Sequence, residues 1–357
     1  MSSNDQIQSV VRDYQQRKYV SDNALEMAIG SMFAENVSDQ SITSLLLTLN
    51  RLTIGVRELK VIREVLLRNS IRITPKNVGD IIDNCGTGGD MLNTFNISTA
   101  ASIIIASAGC SVAKHGNRSS SSLCGSADFF EFIGLNLNVP IDDIVTGIEE
   151  IGFAFLFAPH FHPKLKRVAN LRKRLGIKTV FNIIGPLCNP CTNLFGQVIG
   201  LSDAKLIPAI SSLMSSIKIR SILVNSNDGL DELSNTSNGV VVYVKNSTSI
   251  VEHFNPNDVG IKFARIQDVQ VDSFEDSIRA TLEVIYGKAK KPLEDMVVIN
   301  SAVGLVVGGK TKTLAEGIEI SRDLIISKKP VDKLSELISM HGNINKLKQL
   351  EQKYNLK

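Results

Sequence analysis

The sequence has little net charge, no long apolar run and few cysteines. Its 357 residues carry a formal net charge of only +3, whereas a nucleic-acid-binding protein is expected to concentrate basic residues on one face. No apolar run approaches the roughly 18 residues that suggest a membrane span. Five cysteines in a chain of this length do not form the dense disulfide framework of a small secreted domain. We therefore expect neither nucleic acid nor a membrane as a partner.

The first residues also lack the features of a secretory signal peptide. Residues 1–18 are polar, with no positively charged segment followed by an apolar one. Hydrophobic residues make up 43% of the chain and charged residues 21%, as in globular and not in disordered proteins. We expect a cytoplasmic, globular protein whose basic residues act locally, around a small anionic ligand.

The first part of the chain is helical in pattern. Apolar residues recur at helical spacing in segments 23–33, 41–52 and 56–69. No glycine-rich loop and no polar cluster interrupts them. We expect a small all-helical domain, residues 1–73, whose apolar faces pack together or against a twin subunit.

From residue 80 onwards, strand-like and helix-like segments alternate. Such alternation predicts an α/β domain, residues 74–357, with helices packed on a central, mostly parallel sheet. The expected strands are 80–85, 111–113, 153–157, 219–224 and 239–244, and the expected helices include 97–108, 126–133 and 163–175. The last part of the chain, from Pro292, returns to helices.

A glycine-rich turn, Gly86-Thr-Gly-Gly-Asp90, directly follows the first of these strands. Glycines let backbone N–H groups approach a phosphate closely, because no Cβ intervenes. The segment Asn96-Ile-Ser-Thr99 then opens an apolar helix, where Ser98 and Thr99 are good N-terminal caps and the helix end offers N–H donors to an anion. Neither of the two familiar nucleotide loops is present, and a tight strand-to-helix turn explains the glycines equally well.

A second phosphate-type segment lies one strand further on. Residues Lys114–Ser122 place two cations and four serine hydroxyls on one predicted loop, which ends where a helix begins at Gly125–Asp128. A solvated serine-rich linker is the alternative, but this loop connects a buried strand directly to a capped helix. Two such segments on successive strand-to-helix turns indicate a substrate with two separated phosphate groups.

Adjacent carboxylates, Asp231 and Glu232, follow the predicted strand that ends at Val224. Two carboxylates would repel a phosphate unless a metal ion lay between them. Magnesium prefers such a set, one or two carboxylates completed by substrate phosphates and water. Taken alone, the pair is more often an exposed acidic turn.

Together these segments resemble the anthranilate phosphoribosyltransferase family. The matching segments, in chain order, are Gly86–Asp90, Asn96–Thr99, Lys114–Arg118, Gly125–Asp128, Asn182–Leu187 and Asp231–Glu232. The resemblance implies a fold of the nucleoside phosphorylase/phosphoribosyltransferase type, in which a helical insertion around 163–185 joins the small domain. It also implies a homodimer through the helical domain, two Mg2+ ions per active site, and transfer of phosphoribosyl from phosphoribosyl pyrophosphate to anthranilate in tryptophan biosynthesis.

The resemblance also assigns roles by matching position. Phosphoribosyl pyrophosphate would be contacted by Gly86, Gly89, Asp90, Thr94, Asn96, Ile97, Ser98, Thr99, Lys114, His115, Gly116, Asn117, Arg118, Ser119, Ser120, Ser121, Ser122 and Ser126. Anthranilate would be contacted by Gly86, Asn117 and Arg172, with His115 and Pro186 as walls of its path. Ser98, Asp231 and Glu232 would hold the metal ions.

The chemistry of the substrates agrees with these roles. The aryl amine of anthranilate is already neutral at pH 7, so no strong general base is needed, and we expect at most a minor catalytic role for His115. Catalysis must come from positioning and from stabilising the departing pyrophosphate. Arg172 lies on the predicted helix 163–175 and can grip a carboxylate with two parallel hydrogen bonds. Without the resemblance, Arg172 is one more charge on a basic helix.

One pair of residues departs from the family pattern. Leu123-Cys124 stands where the family commonly has Lys-Ser, so one cation is missing beside the phosphoribosyl site. We expect an exposed Leu123, at which a lysine would strengthen substrate binding. The alternative is that Leu123 packs inward beneath the loop.

Two pairs of residues imitate metal or redox sites. Cys188 and Cys191 have no second pair at zinc spacing, and His160 and His162 flank a phenylalanine before Pro163. We expect neither pair to bind a metal. Two other functions stay open, a nucleoside phosphorylase of the same fold and a non-catalytic nucleic-acid-binding paralogue.

Overall fold

The computed structural model describes residues 2–52, 54–89, 92–119, 122–176 and 179–357. The chain divides into two compact units. One consists of Met1–Arg72 and Pro159–Pro190, and the other of Ile73–Ala158 and Cys191–Lys357. Among the described residues, no helix is long and apolar enough to cross a membrane.

Both units contain several α-helices. The α-helices are α1 (Ser3–Gln15), α2 (Asp22–Ser31), α3 (Asp39–Arg51), α4 (Val56–Arg68), α5 (Ile97–Ser107), α6 (Ser126–Ile133), α7 (Ile141–Ile151), α8 (Ala158–Phe161), α9 (Lys166–Leu175), α10 (Val180–Ile184), α11 (Ile207–Ile217), α12 (Phe274–Ile285), α13 (Lys291–Val307), α14 (Leu314–Ile326), α15 (Lys329–His341) and α16 (Ile344–Lys353). Short 3-10 turns are Pro163–Leu165, Gly185–Leu187, Ala204–Leu206, Pro256–Val259 and Ile266–Asp268.

In the first unit, serine caps set where the early helices begin. The side chains of Ser2, Ser21 and Ser38 each accept a hydrogen bond from a backbone N–H in the first turn of α1, α2 and α3. Apolar stripes on these helices, such as Leu45 and Leu49 of α3, are fully buried, and α1 packs on α2 and α3 while α2 packs on α4. The unit is a small helical bundle.

The second unit is built on one seven-stranded sheet. Its strands are β1 (Ile81–Gly86), β2 (Ser111–Gly116), β3 (Phe153–Phe157), β4 (Leu194–Gly200), β5 (Arg220–Ser226), β6 (Gly239–Lys245) and β7 (Thr248–Phe254). They lie in the order β3-β2-β1-β4-β5-β6-β7. The first five are parallel, and β6 and β7 pair antiparallel at one edge. The predicted class, a small helical region with an α/β domain on a mostly parallel sheet, is confirmed.

Helices α5 and α13 form the core beside this sheet. Fourteen of the 17 residues of α13 are buried, so this helix is enclosed on nearly all sides within the unit. Gly304 lets α5 approach, because a Cβ there would lie 2.2 Å from Ile105 Cδ1. This packing fixes α5, and hence its first turn, against the end of β1.

The structure changes two predicted elements that carry candidate site residues. The strand expected at 111–113 continues to Gly116, so Lys114 and His115 are strand residues and not loop residues. The helix expected at 163–175 is a 3-10 turn followed by α9, which begins at Lys166 and buries Val168 and Leu171. Two strands, β4 and β7, were missed.

Candidate active site

The glycine turn and the carboxylate pair meet at the carboxyl ends of β1 and β4. Gly86 and Gly200 end these strands and are register partners. A Cβ on Gly86 would lie 2.0 Å from Asp231 Oδ2, and one on Gly200 would lie 1.5 Å from the Asp231 carbonyl oxygen. Only glycine at both positions allows the Asp231 loop to come this close. In open α/β sheets, ligands bind at this end of the strands.

Asp231 is itself part of the glycine turn's hydrogen bonding. The Gly88 N–H donates to Asp231 Oδ2 at 2.6 Å, and Asp231 is buried. Gly88 and Gly89 have φ of +68° and +81°, a backbone conformation that residues other than glycine rarely adopt. The turn therefore requires its glycines for conformation as well as for space. Asp90, the last residue of the motif, lies outside the described residues.

Ser202, after β4, fixes the turn from the other side. The Ser202 hydroxyl donates to the Gly88 carbonyl at 3.0 Å, and the Ser202 N–H donates to Thr87 Oγ1 at 3.2 Å. The Thr87 N–H donates to the Gly200 carbonyl at 2.9 Å. Sequence reasoning missed Ser202, because nothing in the sequence placed β4 beside β1.

The N-terminus of α5 differs from the expectation. Asn96, and not Ser98 or Thr99, is the N-cap, and within the described residues its side chain caps no N–H of the helix. Asn96 Nδ2 donates instead to Ser277 Oγ at 3.2 Å. Ile97, Ser98 and Thr99 form the first turn, whose N–H groups have no partner inside the helix. Such an end suits an anion.

Lys114 is fully buried and braces two elements of the site. Its Nζ donates to the Asn84 carbonyl at 2.8 Å, to Asn84 Oδ1 at 3.3 Å and to Ser98 Oγ at 3.5 Å. Burial lowers the pKa of the Lys114 ammonium, while the charges of Asp83 and Glu232 oppose that change. Lys114 thus joins β1 to the first turn of α5 from within the sheet.

Asp83, which sequence reasoning also missed, holds the neighbouring backbone. Its carboxylate accepts from the His115 N–H at 3.1 Å and from Gln197 Nε2 at 3.1 Å. Asp83 is wholly buried and the His115 side chain is nearly so. These bonds tie β2 and β4 to β1, so that the ends of three adjacent strands keep one relative position.

Arg118 lies apart from Lys114, although both were expected on one loop. Its guanidinium pairs with both oxygens of Glu131, at 2.7 and 2.9 Å, and with Asp128 at 3.0 Å. These carboxylates, Glu131 first, raise the pKa of Arg118. The expectation that two cations converge on one loop is wrong, because one is buried in β2 and the other pairs with the outer face of α6.

The remaining second-unit candidates, apart from Thr94, lie in or beside the turn between β2 and α6. A Cβ on Gly116 would lie 2.3 Å from Ser126 Oγ. The Asn117 carbonyl accepts from Ala127 N–H and from Ser126 Oγ, at 3.1 and 3.3 Å. Ser119 N–H donates to Asp128, and Ser122 is exposed. Thr94 is half-buried. Ser120 and Ser121 lie outside the described residues.

Arg172 and Pro186 belong to the first unit. Arg172 Nη2 donates to Asn182 Oδ1 at 2.9 Å, and the guanidinium lies 5.6 Å from the centre of the Phe181 ring. Its Nε is buried and, among the described residues, has no hydrogen-bond partner. Burial lowers the pKa of Arg172. A half-buried guanidinium whose Nη2 bonds to a neutral amide suits a carboxylate ligand. Pro186 is half-buried in the turn Gly185–Leu187.

Comparison with known proteins identifies the family of the chain. Residues 78–329 match the model of a glycosyl transferase family, α/β domain. The chain is 36% identical to the anthranilate phosphoribosyltransferase of Petrotoga mobilis, over 88% of this chain and 91% of that protein. It is 40% identical to the one from Methanosarcina barkeri, over 78% of this chain and 76% of that protein. The chain belongs to the anthranilate phosphoribosyltransferase family.

Solved structures of the family share the fold. The enzyme from Thermus thermophilus superposes with a TM-score of 0.85 at 28% identity, covering 95% of this chain and 99% of that chain. The Saccharomyces cerevisiae enzyme in complex with phosphoribosyl pyrophosphate and magnesium gives a TM-score of 0.82 at 25% identity, over 94% and 97% of the two chains. The family predicted from the sequence is confirmed.

Leu123, where the chain departs from the family pattern, packs inward, as in the alternative interpretation. Leu123 is half-buried and packs against the core of the second unit, and Cys124 beside it is buried. The expectation of an exposed Leu123 is wrong, since the segment before α6 turns its apolar side inward. A lysine at this position would have to leave the core to reach a substrate.

The two pairs that imitate metal or redox sites meet through Cys188 and His162. Cys188 and Cys191 are buried and free of disulfides. His162 Nε2 lies 3.1 Å from the Cys188 carbonyl oxygen. Burial lowers the pKa of His162 to about 4. In the part of the chain that is described, no three or more His, Cys, Asp or Glu side chains come together to hold a metal.

Proposed function

We propose that this chain transfers the phosphoribosyl group of phosphoribosyl pyrophosphate to the amine of anthranilate. The bond from the anomeric carbon to pyrophosphate breaks, a bond from that carbon to the amine nitrogen forms, and the amine loses one proton. The products are N-(5-phosphoribosyl)anthranilate and pyrophosphate. The observation that carries the proposal is the meeting of glycine turn, uncapped α5 N-terminus and buried Asp231 at the ends of β1 and β4.

The second unit supplies the phosphoribosyl pyrophosphate site. The first turn of α5 presents backbone N–H groups to a phosphate, and Gly86 and Gly89 have no side chain to hinder the approach of the substrate. Lys114 acts from beneath, because its ammonium keeps Ser98 in place. By position in the family, we also assign contacts with phosphoribosyl pyrophosphate to Thr94, Asn96, Ile97, Thr99, His115, Gly116, Asn117, Arg118, Ser119, Ser122 and Ser126, and to Asp90, Ser120 and Ser121.

The charges around Asp231 support a magnesium site. Asp231 and Asp83 are buried, and Glu232 is half-buried close enough to Lys114 to affect its pKa. Asp231 and Glu232 are adjacent, and two carboxylates beside a phosphate-binding turn would repel the substrate unless a cation lay between them. The oxygens of Ser98, Asp231 and Glu232 suit Mg2+. We assign two ions to this site, completed by substrate oxygens.

The protein residues then act by positioning. When bound, magnesium supplies positive charge to offset the charge that develops on the departing pyrophosphate. The N–H groups in the first turn of α5 are fixed before the substrate arrives, so little reorganisation is needed as that charge develops. No side chain needs to act as a strong base, because the attacking aryl amine is neutral.

Arg172 is assigned to the carboxylate of anthranilate, with Pro186 and His115 as walls and Asn117 and Gly86 as further contacts. Its buried Nε and its neutral partner Asn182 support this assignment. A planar guanidinium orients a planar aromatic acid through two parallel hydrogen bonds. The amine, ortho to that carboxylate, is thereby oriented as well.

The resemblance also leads us to assign a homodimer through the helical unit and a cytoplasmic location. Tyr19 and Met27 of this unit expose apolar surface that a second copy would cover. Light scattering after gel filtration would measure the mass, and a monomer at micromolar concentration would contradict the dimer.

Growth of a tryptophan auxotroph tests the proposed function. A strain lacking its own anthranilate phosphoribosyltransferase should grow without tryptophan when it carries this chain. The same chain with Asp231→Asn and Glu232→Gln should not support growth, although it should accumulate to the same level. A nucleoside phosphorylase or a nucleic-acid-binding paralogue would fail to restore growth in either form.

A further inference from the structure

Asn300 is a buried amide in the middle of the apolar helix α13. Only 7% of its surface is exposed, and its neighbours on the helix are Val, Ile, Ser and Ala. Asparagine is a poor residue for a helix interior, and burying its amide is unfavourable unless hydrogen bonds replace those to water. Its position therefore requires an explanation in terms of its contacts.

Those contacts are with the segment that carries the carboxylate pair. The Leu233 N–H donates to Asn300 Oδ1 at 3.0 Å, and Asn300 Nδ2 donates to the Leu233 carbonyl at 2.8 Å. Nδ2 also donates to the Met296 carbonyl at 2.8 Å, one helical turn earlier. The side-chain amide thus pairs with both backbone groups of the residue directly after Glu232, as a neighbouring strand would.

Ser226, at the end of β5, holds the residues on either side. Its hydroxyl donates to the Glu232 carbonyl at 2.7 Å and accepts from the Ser234 N–H at 2.9 Å. Residues 231–234, all within the described range, belong to no helix or strand. Four consecutive backbone groups, from the Glu232 carbonyl to the Ser234 N–H, are therefore held by two side chains in place of regular secondary structure.

We infer that Asn300 is a positioning residue for the metal-binding carboxylates, an inference that rests on the proposed function. Gly86 and Gly200 set how closely Asp231 approaches the strand ends, and Asn300 fixes the chain two residues further on, through Leu233. A carboxylate pair held before binding loses little freedom when magnesium and substrate arrive. Without Asn300, residues 231–234 would be less ordered before binding. Ordering them when magnesium binds would then lower the affinity for the metal.

The test measures how binding of phosphoribosyl pyrophosphate depends on magnesium. Asn300→Leu keeps the number and branching of the side-chain heavy atoms and removes both bonds to Leu233. Titration calorimetry of phosphoribosyl pyrophosphate at a series of Mg2+ concentrations should show a half-saturating Mg2+ concentration raised about tenfold or more, since two hydrogen bonds are lost. Turnover should recover at high Mg2+. Ser226→Ala should shift the Mg2+ dependence in the same direction, from the other side of the segment.

Ser301→Ala is the matched control. Ser301 is as deeply buried in α13, and its hydroxyl donates to the Val297 carbonyl within the helix at 2.8 Å. This variant should lose stability without changing the Mg2+ dependence. An unchanged Mg2+ dependence in folded Asn300→Leu would overturn the inference. If Asn300→Leu does not fold, an unchanged dependence in Ser226→Ala would overturn it.

A further variant separates this inference from the proposed function. Asp231→Asn with Glu232→Gln should abolish Mg2+-dependent binding altogether. Mg2+-dependent binding that survives in this double variant would show the metal assignment itself to be wrong. Loss in the double variant, together with wild-type behaviour in Asn300→Leu and Ser226→Ala, would refute only the role of Asn300.

Discussion

At the scale of single residues, Arg172 shows what a sequence leaves open. Its helix carries several other cations, so the sequence alone favours a surface charge. The structure gives it a buried Nε and a neutral partner, Asn182. Arg172→Ala should raise KM for anthranilate far more than KM for phosphoribosyl pyrophosphate, because a charge-assisted bidentate contact of about 1.5–3 kcal/mol corresponds to roughly ten- to more than a hundredfold. Steady-state kinetics measure both constants.

Lys173→Ala controls for the loss of charge, since Lys173 is the next residue and is exposed. It should change neither KM substantially. Equal effects of Arg172→Ala on both substrates would return Arg172 to the surface-charge interpretation.

A second prediction at the scale of single residues concerns Gly86. Gly86→Ala would place a methyl group 2.0 Å from Asp231 Oδ2, so the carboxylate must move. Overpacking of this kind costs about 1–3 kcal/mol, and we expect kcat/KM to fall by tenfold or more as Asp231 is displaced. Gly79→Ala is the control, because a Cβ there meets no described atom within 4 Å. Activity of Gly86→Ala equal to that of Gly79→Ala would contradict the close approach.

Sequence reasoning reached the residues that carry a pattern and missed those that do not. Gly86, Ser98, Asp231 and Glu232 stood out as a glycine turn, a helix start and an acid pair. Residues such as Asp83, Gln197, Ser202 and Asn300 bear no pattern, because each acts through a partner distant in the chain. Their roles depend on β4 lying beside β1 and on α13 lying beneath the acid pair, and no local spacing encodes that.

At the scale of elements, the segment before α6 determines what Leu123 does. Leu123 packs on the core, so Leu123→Lys should lower Tm and should not improve binding of phosphoribosyl pyrophosphate, since burying an ammonium is unfavourable. Ser122→Lys adds the same charge at an exposed neighbour and should leave Tm nearly unchanged. Thermal unfolding of both variants measures this, and an equal Tm for the two would restore the original expectation of an exposed Leu123.

The predicted elements differ from the observed ones for physical reasons. β2 is longer than predicted because Lys114 and His115 read as loop residues. In the structure Asn84 accepts from the buried Lys114 ammonium, and Asp83 accepts from the His115 backbone N–H, so both residues are held in the strand. β7 was missed because its side chains, apart from that of Phe254, are exposed at the sheet edge, and they show no apolar alternation. Strands with a buried apolar run, such as β3, were predicted at their observed bounds.

At the scale of the whole molecule, stability should fall in acid. The His162 pKa is lowered by burial from 6.5 to about 4, so below pH 6.5 the unfolded chain binds a proton that the folded chain does not. Folding stability is therefore full above pH 6.5 and declines as the pH falls towards 4, by up to about 3 kcal/mol. His341, whose pKa is also lowered by burial, adds to the same trend.

His162→Gln should flatten this decline, because glutamine does not titrate. Urea unfolding of both proteins at a series of pH values measures the difference. An equally steep decline in His162→Gln would assign the acid sensitivity to other groups.

The reaction itself tests the account most directly. Purified protein, anthranilate, phosphoribosyl pyrophosphate and Mg2+ should yield N-(5-phosphoribosyl)anthranilate and pyrophosphate in equal amounts. Excess chelator, or Asp231→Asn with Glu232→Gln, should stop product formation while the fold, followed by circular dichroism, stays intact. Absence of the product with wild-type protein under saturating substrates, or undiminished turnover in chelator, would contradict the account.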